Sequence, residues 1–575
     1  MNDLSLLSDI LIILTTAFVF GYFAGKIKQP PVIGYIAGGA VVAFFGGKLT
    51  TQATSTLVDF GVILLMFTLG IEFSFKRLIR VKNIVFLGAI SQVVLFSVVF
   101  TFILGIFLHI DYFQAVFLAL SFSLSSTAIV VKLLFDKGES DTLYGEILTG
   151  WLLVQDLLVI PIWILMPAIW QSINAGSTTF IGVFSSVLFA MLKAGFILYL
   201  VYWFGKKIVP LYLGKIAKTG ERELFLIAVV LLISILGSLV SWAGLSPALG
   251  AFFAGLLVSE TSQNHAIFAE IRPLRDILSI IFFVSLGLLF NFSFLIANLS
   301  LILILVVLAV AFKFVIVGFL MVYFRYHTKT VYLTSLGLIT IGEFAFILGR
   351  FGLDQQYISV SSYNILLSVS ALTMIIGPLA ISLGSRSYHL IRNLVRKSSP
   401  FAYEKFFTKL DQENKFDEEL PFNNHIVICG HGRVGRHISK TLDMADIPYV
   451  VVDYNQKVVH ELKKHGANVI YGDPSDVEVL DYAQVDKAKV VVVAVPDRHT
   501  QEMIIQNSLF LNKNIIIICR SHFDEDRQRL YALGAHAIVQ PEFEAAVHMS
   551  GVLLNLYKCP KEEISVYLNK IRKEE

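Results

Sequence analysis

Long apolar runs dominate the chain from Leu4 to Leu383, and almost all of its charged residues lie outside them. A helix needs roughly 20 apolar residues to cross the hydrocarbon layer of a bilayer. Thirteen stretches are candidates: 4–24, 31–46, 53–73, 83–108, 113–134, 143–172, 179–204, 222–241, 244–258, 274–289, 295–324, 331–352 and 360–384. After Arg386 the pattern changes. Residues 387–422 read as a charged, irregular linker, and from Asn423 short apolar runs alternate with helix-period segments. Strands are expected at His425–Cys429, Tyr449–Asp453, Asn468–Tyr471, Val490–Val495, Asn514–Cys519 and Ala537–Gln540, an alternation that implies a parallel, doubly wound sheet.

The basic residues orient the helices, because cytoplasmic loops collect Lys and Arg. Lys26 and Lys28, Lys76 to Lys82, Lys132 and Lys137, Lys206 to Lys218, Arg272 and Arg275, and Arg325 and Lys329 fall in alternate loops. An odd number of spans then places the N-terminus outside and the C-terminus in the cytoplasm. The three cysteines, Cys429, Cys519 and Cys559, all lie in the C-terminal part, which agrees with a reducing compartment. The first residues carry no basic n-region, so the first apolar run is expected to span rather than to be removed.

Internal repetition is the main architectural signal. Pro31-Val-Ile-Gly34 returns as Pro247-Ala-Leu-Gly250, with 247 − 31 = 216, and Leu69-Gly70 returns as Leu286-Gly287, with 287 − 70 = 217. In the same frame Thr127 falls on Glu343, since 343 − 127 = 216. The second copy starts seven spans after the first, and an odd displacement inverts it in the membrane. Inverted repeats with interrupted helices characterise secondary transporters, whose binding sites lie near the midplane; chance likeness among Gly-rich apolar helices is the alternative.

Three ionisable residues stand out near the middle of their spans: Asp156, Lys313 and Glu343. Such groups are expensive in a bilayer and survive where they face a partner or a watery path. Asp156 suits a site that takes a cation or a proton in turn; the alternative is a carboxyl kept neutral or permanently paired. Lys313 reads as a charge partner that holds the core together, or as a proton carrier. Glu343, next to Gly342, is either a site-lining residue at a helix break or a salt-bridge partner. The run Ser121-Phe-Ser123-Leu-Ser125-Ser126-Thr127 offers hydroxyl and carbonyl ligands for a monovalent cation at an unwound point, although serines also join membrane helices.

In the C-terminal part the turn Gly430-His431-Gly432-Arg433-Val434-Gly435 follows a strand and opens a helix, and Asp453 closes the next strand 23 residues after Gly430. Glycines let a phosphate approach the backbone, the helix N-terminus attracts it, and the acid accepts from a ribose diol. Adenine nucleotide or NAD(H) is therefore expected here as a regulatory ligand. Asp473 is expected as a turn-former or ligand contact. The fold is used up near Pro541, leaving 542–575 as a tail too short for a catalytic lobe, so a sensor is expected rather than a dehydrogenase.

Over 575 residues, 56% are hydrophobic, 15% are charged and the net charge is +3, which implies no basic surface for nucleic acid. Ser125-Ser126-Thr127-Ala128, Gln155-Asp156, Lys313 and Gly342-Glu343-Phe344-Ala345-Phe346, followed by the Gly430–Gly435 turn, together resemble the Kef-type monovalent cation:proton antiporters. These belong to the second cation:proton antiporter superfamily and carry a fused RCK (TrkA-N) domain.

The resemblance covers nearly the whole chain. It implies a polytopic α-helical membrane protein (1–386) of 13 helices with inverted repeats, plus a Rossmann-like RCK domain (423–541), assembled as a homodimer. It implies exchange of K⁺ or Na⁺ for H⁺ across the cytoplasmic membrane. By position, Asp156 is the ion-binding carboxylate, Gln155 replaces a second acid found in electrogenic relatives, and Lys313 faces the site. A potassium channel with the same regulatory domain is the rival of another class; it needs a selectivity loop such as T-V-G-Y-G, which the sequence lacks.

Overall fold

The computed structural model describes residues 2–27, 29–45, 52–72, 83–140, 142–174, 221–242, 247–259, 264–403, 423–521 and 525–574, with short runs and single residues between 182 and 216. The chain forms two compact units. The first comprises Met1–Val130, Leu148–Leu320 and Ser335–Ile381, and the second Val131–Ile147, Met321–Thr334 and Ser382–Glu575.

The first unit is helical. The seventh expected span, 179–204, lies largely outside the described residues, and each of the others has a helical counterpart. Among the described residues, seven helices are long and apolar enough to cross a membrane, while Pro31–Phe44 and Pro247–Ser259 are shorter apolar helices. Two expected spans are broken. The fifth is Tyr112–Ser123 followed by Thr127–Asp136, and the twelfth is Thr328–Gly337 followed by Glu343–Asp354. The breaks cross backbone to backbone: Gly342 N–H donates to Leu124 O at 3.0 Å, and a Cβ on Gly342 would lie 2.6 Å from Ser125 O.

Close helix crossings carry the repeat into three dimensions. A Cβ on Gly39 would sit 2.0 Å from Val284 O and 3.0 Å from the Cα of Gly287, and one on Gly255 would sit 2.1 Å from Phe67 O and 2.9 Å from the Cα of Gly70. The repeat maps Gly39 onto Gly255 (255 − 39 = 216) and Gly70 onto Gly287, so each crossing is the image of the other. Small residues let helices in lipid approach closely, where van der Waals packing replaces hydrophobic drive.

Some loop assignments are corrected, since Lys132 and Lys329 lie within helices Thr127–Asp136 and Thr328–Gly337. The tenth helix begins at Asn264 rather than near 274, so Arg272 and Arg275 lie within helix Asn264–Leu288 and not in a loop. Arg275 and Asp276 pair at 2.6 Å.

The second unit holds a six-stranded parallel sheet of β1 (Ile426–Cys429), β2 (Tyr449–Asp453), β3 (Val469–Tyr471), β4 (Val490–Val493), β5 (Ile516–Arg520) and β6 (Ala537–Val539), ordered β3-β2-β1-β4-β5-β6. All six expected strands are present. Parallel strands are buried on both faces and read as continuous Val/Ile runs, as here in Val450–Val452 and Val490–Val493. The expected irregular linker is helical at Gly384–Ser398 and Pro400–Tyr403; 404–422 lies outside the described residues. That helix is strongly amphipathic, and its basic face pairs with acids after β3, Arg392 with Asp476 and Arg396 with Glu478. The tail forms two helices, Pro541–Leu556 and Lys561–Glu574.

Candidate functional site

Within the first unit the two helix breaks and helix Leu143–Asn174 bring the expected ion-site residues together. Thr127 Oγ1 donates to Asp156 Oδ2 at 2.9 Å, and Ser126 Oγ donates to Glu343 Oε2 at 2.9 Å. Ser126, Thr127, Asp156 and Glu343 line one cavity of about 620 Å³, with Thr68 and Arg275 further round its wall. Asp156 is only 7% exposed, so its charge depends on these hydroxyls and on whatever occupies the cavity. Two carboxyl groups with hydroxyl oxygens form an all-oxygen donor set, which suits a hard monovalent cation and also accepts a proton.

Ser125 and Gln155 serve the crossing itself. Ser125 N–H donates to Gln155 Oε1 at 2.9 Å, and Ser125 Oγ donates to Leu338 O at 2.8 Å. The Gln155 amide donates to Gln92 Oε1, and Gln92 Nε2 donates to Ser123 O at 3.1 Å. Gln155 thus satisfies backbone freed by the break, and no backbone polar group can be left unpaired in lipid without large cost. Gln92 was missed in the sequence, although an amide inside the fourth span is the same kind of signal that singled out Asp156.

Lys313 departs from the expectation that it faces the ion. It is 0% exposed, and its ammonium donates to Leu124 O (3.1 Å), Ser125 Oγ (3.0 Å) and Thr340 O (2.7 Å), behind the crossing rather than on the cavity wall. Leu124 follows the C-terminus of Tyr112–Ser123, and Thr340 lies in the break after Thr328–Gly337. Helix C-termini carry partial negative charge, so the lysine neutralises two of them at once.

The second unit contains the candidate nucleotide site. Its cavity lies beyond the C-terminal ends of β1 and β4, where the strand order reverses, the usual place for a ligand in a doubly wound sheet. Gly430 (φ +95°) makes the tight turn, a Cβ on Gly432 would meet nothing within 4 Å, and one on Gly435 would lie 2.1 Å from Gly430 O. The three glycines therefore divide into turn, open approach and close helix packing. Gly430, Gly432 and Arg433 line the cavity with Asp453, while Val434 and Gly435 lie off its wall.

Asp453 Oδ2 accepts from His431 N–H and Oδ1 from Asn455 N–H, each at 2.7 Å. Burial pushes its carboxyl above the ordinary value, against the pull of those N–H groups. Arg520, at the end of β5, adds a cation that sequence reasoning missed.

Asp473 takes the turn-former alternative expected of it: Oδ1 accepts from Ser475 N–H at 3.0 Å. It is off the cavity wall, 0% exposed, and its carboxylate lies 2.9 Å from Lys329 Nζ.

Interrupted, crossing helices around a carboxylate cavity, joined in one chain to a Rossmann-type domain, define a secondary transporter with a fused nucleotide-binding-type domain. Residues 13–383 match the transmembrane domain of the sodium/hydrogen exchanger family, more than half of the chain, and the protein belongs to that family. Residues 426–541 match the TrkA-N domain. The chain is 28% identical over 543 residues to the putative cation/proton antiporter YbaL of Escherichia coli K12, covering 94% of this chain and 96% of that one. It is also 28% identical over 556 residues to the glutathione-regulated potassium-efflux system protein KefC of Enterobacter sp. 638, covering 95% and 84%. The crystal structure of the TrkA-N domain of E. coli YbaL is 29% identical with a TM-score of 0.23, covering 23% of this chain and 99% of that one.

Proposed function

We propose that the protein is a multi-pass antiporter of the cytoplasmic membrane, exchanging K⁺ for H⁺ at Asp156 under control of an adenine nucleotide or NAD(H) bound by its cytoplasmic RCK domain, and acting as a homodimer. The observation that carries the transport reading is the Thr127–Asp156 hydrogen bond on the wall of a cavity that Ser126 and Glu343 also line. A single carboxylate with hydroxyl neighbours can hold either a proton or a cation, and that exclusivity couples the two flows. K⁺ is put first because KefC is named as a potassium-efflux protein. Hydroxyl and carboxylate ligands also suit Na⁺, which is the second reading.

The test is dissipation of a pH gradient in proteoliposomes as K⁺, Na⁺ and Li⁺ are added in turn. Asp156→Asn is expected to abolish cation-dependent proton movement while leaving the protein folded, because an amide neither releases a proton nor attracts a cation. Retention of more than about a tenth of the wild-type rate, a loss of less than roughly 1.4 kcal/mol in barrier terms, removes Asp156 as the obligatory carrier. Cation flux without any proton movement would instead establish the channel reading.

A further inference from the structure

The nucleotide cavity has a second wall that does not come from the Rossmann fold. Gly138 and Thr142, from the loop between helices Thr127–Asp136 and Leu143–Asn174, and Leu143, the first residue of the second of these helices, line it together with the glycine turn's residues and Arg520. We propose that the bound nucleotide is gripped by both the Gly430–Gly435 turn and this loop, so that binding fixes the helical hairpin that carries Thr127 and Asp156. The proposal rests on the nucleotide reading of the cavity given above.

The loop is built as a rigid connector. Helix Thr127–Asp136 ends with Gly138 at φ +67°, and Glu139 N–H reaches back to Leu134 O at 2.8 Å, a left-handed helix stop. Thr142 caps the next helix: its Oγ1 accepts from Gly145 N–H at 3.1 Å and donates to Glu139 O at 2.7 Å. The Glu139 carboxylate accepts from Tyr144 and lies 3.9 Å from Lys137. A ligand that touches Thr142 and Leu143 therefore touches the first turn of the helix that carries Gln155 and Asp156, 156 − 143 = 13 residues on.

A second observation marks the cavity as built for a polar ligand. His431 is 5% exposed and lines the cavity; its Nε2 is bonded to Ser439 Oγ at 2.8 Å, and its Nδ1 has no hydrogen-bond partner. A buried polar atom of this kind is expensive unless something pairs with it. Arg433 and Arg520 supply positive charge, and the start of helix Leu143–Asn174 adds a second positive helix end to that of Arg433–Met444. The ligand this chemistry selects is an anionic nucleotide, with phosphate at the glycine turn.

The experiment is hydrogen–deuterium exchange on the full-length protein in detergent, with AMP, ATP, NAD⁺ and NADH each at millimolar concentration. The expected result is several-fold slower exchange at both 430–436 and 138–146 with at least one of them. Protection of 430–436 with unchanged exchange at 138–146 overturns the two-sided grip while leaving nucleotide binding intact. No protection of either segment by any of the four removes the nucleotide reading, and the grip with it.

Discussion

Lys329 Nζ lies 2.9 Å from Asp473 Oδ2, with the two side chains 3% and 0% exposed. The ammonium also donates to Thr500 Oγ1 at 2.9 Å and stands 5.9 Å from the centre of the Tyr454 ring. Removing one partner of a buried pair strands the other charge, at about 3–5 kcal/mol. Lys329→Met and Asp473→Asn should each lower the melting temperature of the second unit markedly, and the double variant Lys329→Met/Asp473→Leu should recover much of the loss. Scanning calorimetry of the full chain checks this; single variants that melt as wild type refute it. Burial alone would raise the Asp473 carboxyl, but Lys329, His327 and His389 carry it well below the usual carboxylate range. Its folded value is depressed, so its contribution is present above the unfolded value near ~3.9 and is lost as pH falls through the folded one.

The crossing glycines should tolerate no side chain. Gly39→Ala or Gly255→Ala puts a methyl about 2 Å from a carbonyl oxygen on the facing helix. Overpacking of this kind costs about 1–3 kcal/mol or more. Both variants should show reduced folded yield and lower thermal stability in detergent, whereas Gly25→Ala, with nothing within 4 Å, should behave as wild type. Equal yields for all three would show that the helices can part freely at these points.

Glu139 should make the loop at the nucleotide cavity sensitive to pH. Burial pushes its carboxyl up to about 7, opposed by Lys137 and reinforced by Asp497. A raised folded value means that the contribution is fully present below the unfolded value near ~4.3 and is lost as pH rises through about 7. Amides 138–146 should therefore exchange faster at pH 8 than at pH 6 once intrinsic rates are corrected, and Glu139→Gln should flatten the difference. A slope of the same size in that variant would assign the effect to another group.

Exchange should be electroneutral, one cation for one proton. The residue beside Asp156, the proposed carrier, is Gln155, whose amide is committed to Ser125 and Gln92 and cannot titrate. With one carboxylate holding H⁺ or the cation in turn, the loaded site has the same charge in both directions. Proteoliposomes under a valinomycin-set potential, with Na⁺ as the transported ion where it is accepted, give the measurement. A rate that changes several-fold with the sign of the potential would falsify the one-to-one scheme and make Lys313 or Glu343 a second proton carrier.

The sequence by itself determined whatever depends on local physics. Spans are legible because lipid demands about 20 apolar residues, and the six strands because buried parallel strands are runs of Val and Ile. The repeat was legible because the same close crossings require glycine at matching positions; the break in the fifth span was announced by its serine cluster, and the one in the twelfth was one of two readings of Glu343 beside Gly342. Tertiary structure decided the partners. Asp473 meets Lys329 across 473 − 329 = 144 residues, Lys313 turns to the carbonyl ends of two half-helices, and residues of the connection between two membrane-type helices line the cavity at the glycine turn. Spacing along a chain limits which groups lie on one face of an element. Which distant groups share a buried space is settled only when packing and desolvation force each of them to find a partner.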